Sequence, residues 1–226
     1  MRRMRRVRHD DTVRAKSGYH HGDLANALTA AATDLARRGG PDAVVLREAA
    51  RQVGVSPTAA YRHFAGHGDL IEAVKQRALV GLADAMETEL AARPPVDDPV
   101  EDAFRRFAAL GTGYIRFAVT EPGLFRTAFC RPDGPLPSDP DAPGGGPAAM
   151  TSRPYLLLAE VLNRLAELGR LDPVRREHAE VMAWSAVHGL AVLLLDGPLR
   201  SLPPEAVEAL RERMIRFCRD GLGTPA

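Results

Sequence analysis

Hydrophobic positions along this chain recur at spacings of three and four residues, the period of one helical face and not the alternation of a strand. Over residues 22–38 the apolar stripe is Leu24, Leu28, Ala31 and Leu35. It runs into basic Arg37 and Arg38 and then Gly39 and Gly40, so a helix is expected to end there. Leu46, Ala49, Ala50 and Val53 make a second, shorter stripe. Gly54 follows where a chain leaving a helix takes a left-handed backbone, and Val55 can tuck under the turn. Ser56 can cap a third helix, which Pro57 opens without loss because the N–H it lacks has no partner in a helix's first turn. That third helix is predicted over 57–63, with Ala60 and Phe64 inward. Two short helices hinged at a glycine follow the plan of a helix-turn-helix, and small Ala49, Ala50 and Ala60 permit a steep, close crossing. At about seven residues the helix would be on the order of 10 Å long, which suits a major groove about 12 Å wide.

Downstream, residues 67–92 carry Leu70, Val74, Leu79, Leu82, Met86 and Leu90 and stop before Pro94 and Pro95, predicting a helix that links the head to a body. The body begins near Asp97 with a helix bearing Phe104, Phe107, Leu110, Tyr114, Phe117 and Ala118, and a shorter helix spans 122–129. Residues 131–147 contain six prolines and four glycines, a composition that sustains neither helix nor strand; a mobile loop is expected over 131–152. Helices resume over 154–168, 173–195 and 204–219, each with proline in or near its first turn. The fold class read from this pattern is all-α. A basic arm covers 1–17, a three-helix DNA-binding domain 18–75 with its helix-turn-helix over 45–64, and a helical body 76–226.

Composition supports this reading and narrows it. Aromatics make up only 5% of 226 residues, and the apolar content lies mostly in Leu and Ala. The longest nearly apolar run, 181–195, is interrupted by Ser185 and His188 and falls short of the roughly 18 to 20 residues of a membrane span. The arginine-rich N-terminus has no apolar stretch after it, so neither a secretory signal nor an anchor is expected and the cytoplasm is the default location. Cys130 and Cys218 match neither a redox pair nor a zinc spacing and fit two free thiols in a reducing compartment. The net charge of +1 conceals a division: residues 1–77 hold 14 Arg or Lys against 8 Asp or Glu, and the remaining 149 hold 16 against 21. A basic part that contains the helix-turn-helix points to a polyphosphate partner. Arg2, Arg3, Arg5, Arg6 and Arg8 fit a solvated tail and a DNA-contacting arm equally well.

The candidate chemistry of an enzyme is missing from the pattern. His20 and His21 lack a partner at ligand spacing, His178 and His188 are expected on different helix faces, and no GxSxG, HExxH or phosphate-loop motif occurs. No catalytic residue, metal site or cofactor is therefore expected. A nonspecific architectural DNA-binding protein is a second alternative, poorly matched to so large an acidic remainder.

Residues 18–75 resemble the DNA-binding domain of TetR/AcrR-type transcriptional regulators, with Gly54-Val55-Ser56 and Tyr61-Arg62-His63-Phe64 in register. The segment from Tyr19 to Leu24, and Trp184 with His188-Gly189, resemble a subgroup whose C-terminal domain is named for a Trp-His-Gly signature. The resemblance implies a homodimeric repressor in which each subunit's third helix enters a major groove of a palindromic operator, with 76–226 as a C-terminal helical ligand-binding and dimerisation domain. It further implies a four-helix bundle between subunits and a small-molecule effector that shifts the spacing of the heads and releases DNA. Carried over residue by residue, Pro57, Thr58 and Tyr61 would meet bases or sugars. Ser56, Ala59 through its backbone, and His63 would meet phosphates, with Arg47 as a further contact. Val45 stands where relatives place Ser or Thr as a cap, and His67 where they usually have Lys at a phosphate. Thr58 and Ala59 offer few donors, so readout through thymine methyls or DNA shape is expected.

Two helices suit the implied dimer. Residues 173–195 are apolar around nearly the whole circumference, and 204–219 place Val207, Leu210, Met214, Phe217 and Cys218 on one face. For the effector pocket the candidates are Phe104, Phe107, Tyr114, Phe117, Phe125, Met182, Trp184 and His188, with core packing as the plainer role for each.

Overall fold

A computed structural model describes residues 21–130 and 151–222, and every regular element among them is a helix. The expected arm over 1–17 and the expected loop, apart from Thr151 and Ser152, lie outside the described residues. Helix α1 (His21–Gly39) carries Asp23 in its first turn and Arg37 and Arg38 in its last, charges that complement the helix dipole at both ends. A single 3-10 turn (Pro41–Ala43) leads to α2 (Leu46–Val53) and α3 (Pro57–Ala60). Leu28, Ala32, Leu46, Ala49, Ala50, Ala60 and Phe64 are buried together as the core of this head.

Helix α4 (His67–Ala91) is the spine of the molecule. Its N-terminal half packs on α1, and its length lies against α5 (Pro99–Thr120), α6 (Pro122–Phe129) and α7 (Arg153–Glu167). The hydrophobic core runs without interruption from Leu70 and Val74 in the head to Leu82 and Met86 in the body. Asp98 caps α5 by accepting from Val100 N–H at 2.9 Å, and Pro99 and Pro122 open α5 and α6 at positions that need no donor. Buried Glu89 of α4 accepts from Arg93 one turn on, at 2.9 Å, and pairs with Arg116 of α5, which pins the two helices where their polar edges meet.

Two expected helices are corrected. The segment read as one helix over 173–195 is α8 (Pro173–Arg176) and α9 (Ala179–Leu195), broken at Glu177 and His178. His178 takes a left-handed φ of 60°, and the turn is held where the Arg176 guanidinium doubles back onto Glu180, at 2.8 and 3.0 Å. The recognition helix expected over 57–63 is α-helical only to Ala60. It then tightens into three-residue turns, with Arg62 N–H donating to Ala59 and His63 N–H to Ala60 at 3.3 and 2.9 Å. The last helix, α10 (Pro204–Leu222), lies against α9 and α5.

Candidate functional site

The hinge between α2 and α3 follows from backbone chemistry at single residues. Gly54 sits at φ 79°, ψ 29°, a conformation that a side chain disfavours. Its N–H donates to Arg51 at 3.2 Å and that of Val55 to Ala50 at 3.0 Å, the crossed pair that closes a helix end on a left-handed residue. Ser56 then caps α3 by accepting from Ala59 N–H through its Oγ at 3.2 Å. Val45 caps α2 without any side-chain bond and is 46% exposed, so the missing hydroxyl is a real gap at the surface of the head.

With Ala60 and Phe64 anchored inward, the outer face of this unit presents Ser56, Pro57, Thr58, Tyr61 and Arg62, all exposed, with Tyr61 at 47%. Ala59 and His63 are half-buried at its margins, and Arg47 and His67 are exposed on the flanking helices. The Ala59 N–H is already shared between the Ser56 carbonyl and hydroxyl at 3.0 and 3.2 Å, so the phosphate contact expected of its backbone has no spare donor. Asp69 accepts from Ala65 N–H at 2.9 Å and fixes the start of α4, whose first residue is His67.

Charge on this face is arranged by one internal cluster. Glu48 accepts from Arg51 at 2.6 and 2.8 Å and from Gln52 at 3.2 Å, and the Arg51 bonds hold its carboxyl down at about 2. The acid of α2 is thereby neutralised within its own helix. Arg47 and Arg62 have no ion-pair partner among the described residues and are the cations this surface can offer to an anion.

In the body, a cavity of about 60 Å³ lies between α4, α5, α6, α7, α9 and α10, with Leu79, Leu82, Met86, Leu158 and Met214 among its walls. Of the eight candidate pocket residues, Phe107, Tyr114 and Trp184 line it. Phe125 and His188 stand behind Tyr114 in one ring cluster, with Phe125 stacked on His188 at 5.4 Å and edge-on to Tyr114 at 5.7 Å. Phe117 fills the seam between α5 and α4, where its ring meets Gly81. Phe104 belongs to a separate cleft between α5 and α10, lined by Arg105, Arg211 and Arg216. Met182 is turned outward and 57% exposed. These five do not line the cavity, because a helical stripe two faces wide does not say which face meets a gap. Phe129 and Tyr155 do line it, and only their aromatic character at helix ends could have suggested them.

The polar centre of the cavity wall is a chain of three side chains. Trp184 Nε1–H donates to Tyr114 Oη at 3.0 Å, and the same hydroxyl pairs with His188 Nδ1 at 2.9 Å. Burial pushes the Tyr114 phenol well above its ordinary value and lowers that of His188, so both stay uncharged near neutrality.

A buttressed helix-turn-helix on a helical body with an apolar pocket defines a DNA-binding transcriptional regulator. Residues 28–74 match the family described as bacterial regulatory proteins, tetR family, and residues 107–218 match the tetracyclin repressor-like C-terminal domain. The chain belongs to the TetR family. A protein of unknown function from Rhodococcus sp. RHA1 is similar over 92% of this chain and 100% of its own, at 26% identity and a TM-score of 0.65. A tetR-family transcriptional regulator from Streptomyces coelicolor shares 26% identity over 87% of this chain and 79% of its own, with a TM-score of 0.53. A putative tetR-family regulator from Shewanella sp. PV-4, at 17% identity, covers 89% of this chain and 99% of its own with a TM-score of 0.57, and shows the shared fold. No curated protein matches the chain. Neither family match names a Trp-His-Gly subgroup. Trp184 and His188 are the two ends of the Tyr114 chain, and Gly189 faces an open groove between α9 and α10.

Proposed function

We propose that the protein is a homodimeric repressor that holds a palindromic operator and releases it when a small molecule enters the body. The observation that carries this reading is the double attachment of α6. At one end Phe129 lines the cavity. At the other, Gly123 rests directly on the last turn of α1, where an added Cβ would stand 2.2 Å from the Ala36 carbonyl oxygen, and Arg37 bonds Glu121 at 3.0 Å. Displacement of Phe129 is thus transmitted to the helix that buttresses the reading head, which is what a ligand must do to bias two arrangements of the heads.

The DNA-facing set is Arg47, Ser56, Pro57, Thr58, Tyr61, His63 and His67, on the head over 18–75. Thr58 and Tyr61 offer methyl and ring surface and few donors, which supports a large share of shape readout. Dimerisation is supported by the apolar surface of α9 and α10: Met182, Leu193 and Phe217 are 57, 42 and 77% exposed around a groove lined by Ala186, Gly189, Leu190 and Leu210. A lone subunit would leave this in water.

Selection of the full-length protein on a random duplex library, read by fluorescence anisotropy at fixed salt, tests the reading. A palindromic site preferred over random DNA is expected, and affinity that is the same for every sequence refutes it. Tyr61→Ala should weaken that site by on the order of tenfold or more, the scale of one lost base or sugar contact, with the melting temperature unchanged. Unaltered affinity would remove Tyr61 from the interface.

A further inference from the structure

We infer that the body cavity selects an electrically neutral, mostly hydrocarbon effector carrying a single uncharged oxygen function, an alcohol or carbonyl, that bonds the Tyr114 hydroxyl. This rests on the proposed effector role of the cavity and adds the chemistry of what enters it.

No ionised side chain lines the cavity among the described residues; the walls are Leu, Met, Phe, Ile and Val, with Tyr114, Trp184, Ser152, Tyr155 and Cys218 as the polar groups. Arg105, Arg211 and Arg216 line a neighbouring cleft on the other side of a wall formed by Phe107 and Ile215, which line both spaces. A carboxylate or ammonium inside would lose its hydration without a counter-charge, the costly way to bury an ion. The aromatic chain offers none, because Tyr114 and His188 are both held neutral by burial.

Tyr114 nevertheless keeps one valence for a ligand. Its oxygen already accepts from Trp184 at 3.0 Å. If the hydroxyl proton goes to His188 Nδ1, one lone pair remains to accept from an alcohol. If the imidazole carries its proton on Nδ1 and donates, the phenolic O–H is left to donate to a carbonyl. Both arrangements are uncharged, and both suit a neutral oxygen.

Size points the same way. The free space of about 60 Å³ is smaller than the roughly 150 Å³ of a cavity that takes up benzene. An effector therefore enters by moving flexible walls, and Met86, Met214 and Phe129 are the side chains available to move.

The chain's single tryptophan, Trp184, is in the wall and reports occupancy directly. The full-length protein would be titrated at pH 7.5 with 1-decanol, 2-decanone, decanoate and decylammonium below their micellar concentrations, following Trp184 emission and heat. The two neutral probes should perturb Trp184 with affinity on the order of 100-fold above either ion, as expected when an unpaired charge is buried. Tyr114→Phe should weaken decanol and decanone by roughly tenfold, the share of one hydrogen bond. Decanoate or decylammonium binding as tightly as decanol overturns the inference, as does Tyr114→Phe binding all probes like the wild type. Operator release, read separately by anisotropy, distinguishes the two layers. Neutral probes that bind but leave the operator bound would sink the effector role and leave the cavity's selectivity standing.

Discussion

Replacing Gly123 with alanine tests whether α6 couples the cavity to the reading head. The new Cβ would stand 2.2 Å from the Ala36 oxygen, 2.5 Å from the Arg37 oxygen and 2.9 Å from the Arg37 carbonyl carbon, all rigid backbone. Ordinary contact begins at 3.4 Å, so the end of α1 and the start of α6 must part by more than an ångström at this point. Overpacking of this kind costs about 1–3 kcal/mol, and alanine returns at most about 1 kcal/mol of helix propensity. With the full propensity gain the net loss is up to about 2 kcal/mol, a fall in Tm of up to roughly 8 °C for a chain of this size. Gly68→Ala, with nothing within 4 Å of its Cβ, is the control and should lose no stability. Differential scanning calorimetry gives the Tm, and operator anisotropy gives the head's response. We expect Gly123→Ala to melt earlier and to bind operator more weakly, since α1 is pushed from the position that buttresses α2 and α3. A variant that matches wild type in both measurements would show that the contact yields freely and carries no signal.

Three other outcomes follow from the same structure. Val45→Thr supplies the hydroxyl that the N-cap of α2 lacks, in an extended backbone at φ −120°, and should raise stability by about 1 kcal/mol in urea denaturation; no gain would mean the α2 N-terminus is satisfied otherwise. Burial lowers the His188 pKa below its ordinary 6.5, so the unfolded chain binds a proton that the folded chain refuses. Its contribution is present above pH 6.5 and is lost as pH falls from there to the folded value; urea midpoints of His188→Gln should lack that part of the slope, and an identical profile would refute the assignment. Phe217→Glu, at a residue 77% exposed, should convert the proposed dimer to monomers in sedimentation, whereas sedimentation identical to wild type would place the subunit contact elsewhere.

The head was legible in the sequence because its rules act within a few residues. A left-handed glycine, a serine hydroxyl three residues from its acceptor N–H and a proline in a first turn are each specified by the chain next to them, and Gly54, Ser56 and Pro57 all act in the expected way. The break at 177–178 escaped because it depends on how side chains fold around it, one of them distant in sequence. Nothing local marks His178 as a turn; it is held there by Arg176 folding back onto Glu180 and by Asn163 of α7, which also receives that guanidinium. The cavity depends on contacts still more remote. Helix α9 is apolar on all sides, so periodicity could not tell Trp184, turned inward, from Met182, which faces water two residues earlier. The same ambiguity has a physical use: one side of α9 closes the cavity, and the other, with α10, offers the apolar surface suited to a second subunit. In the proposed dimer through α9 and α10, a ligand that displaces Trp184 would act on a helix of the subunit contact, while one that displaces Phe129 would act on the helix that rests on α1. In that reading the two walls would move different things, the angle between subunits and the seat of the reading helix. A neutral ligand lodged against Tyr114, between Trp184 and Phe129, would strain both together.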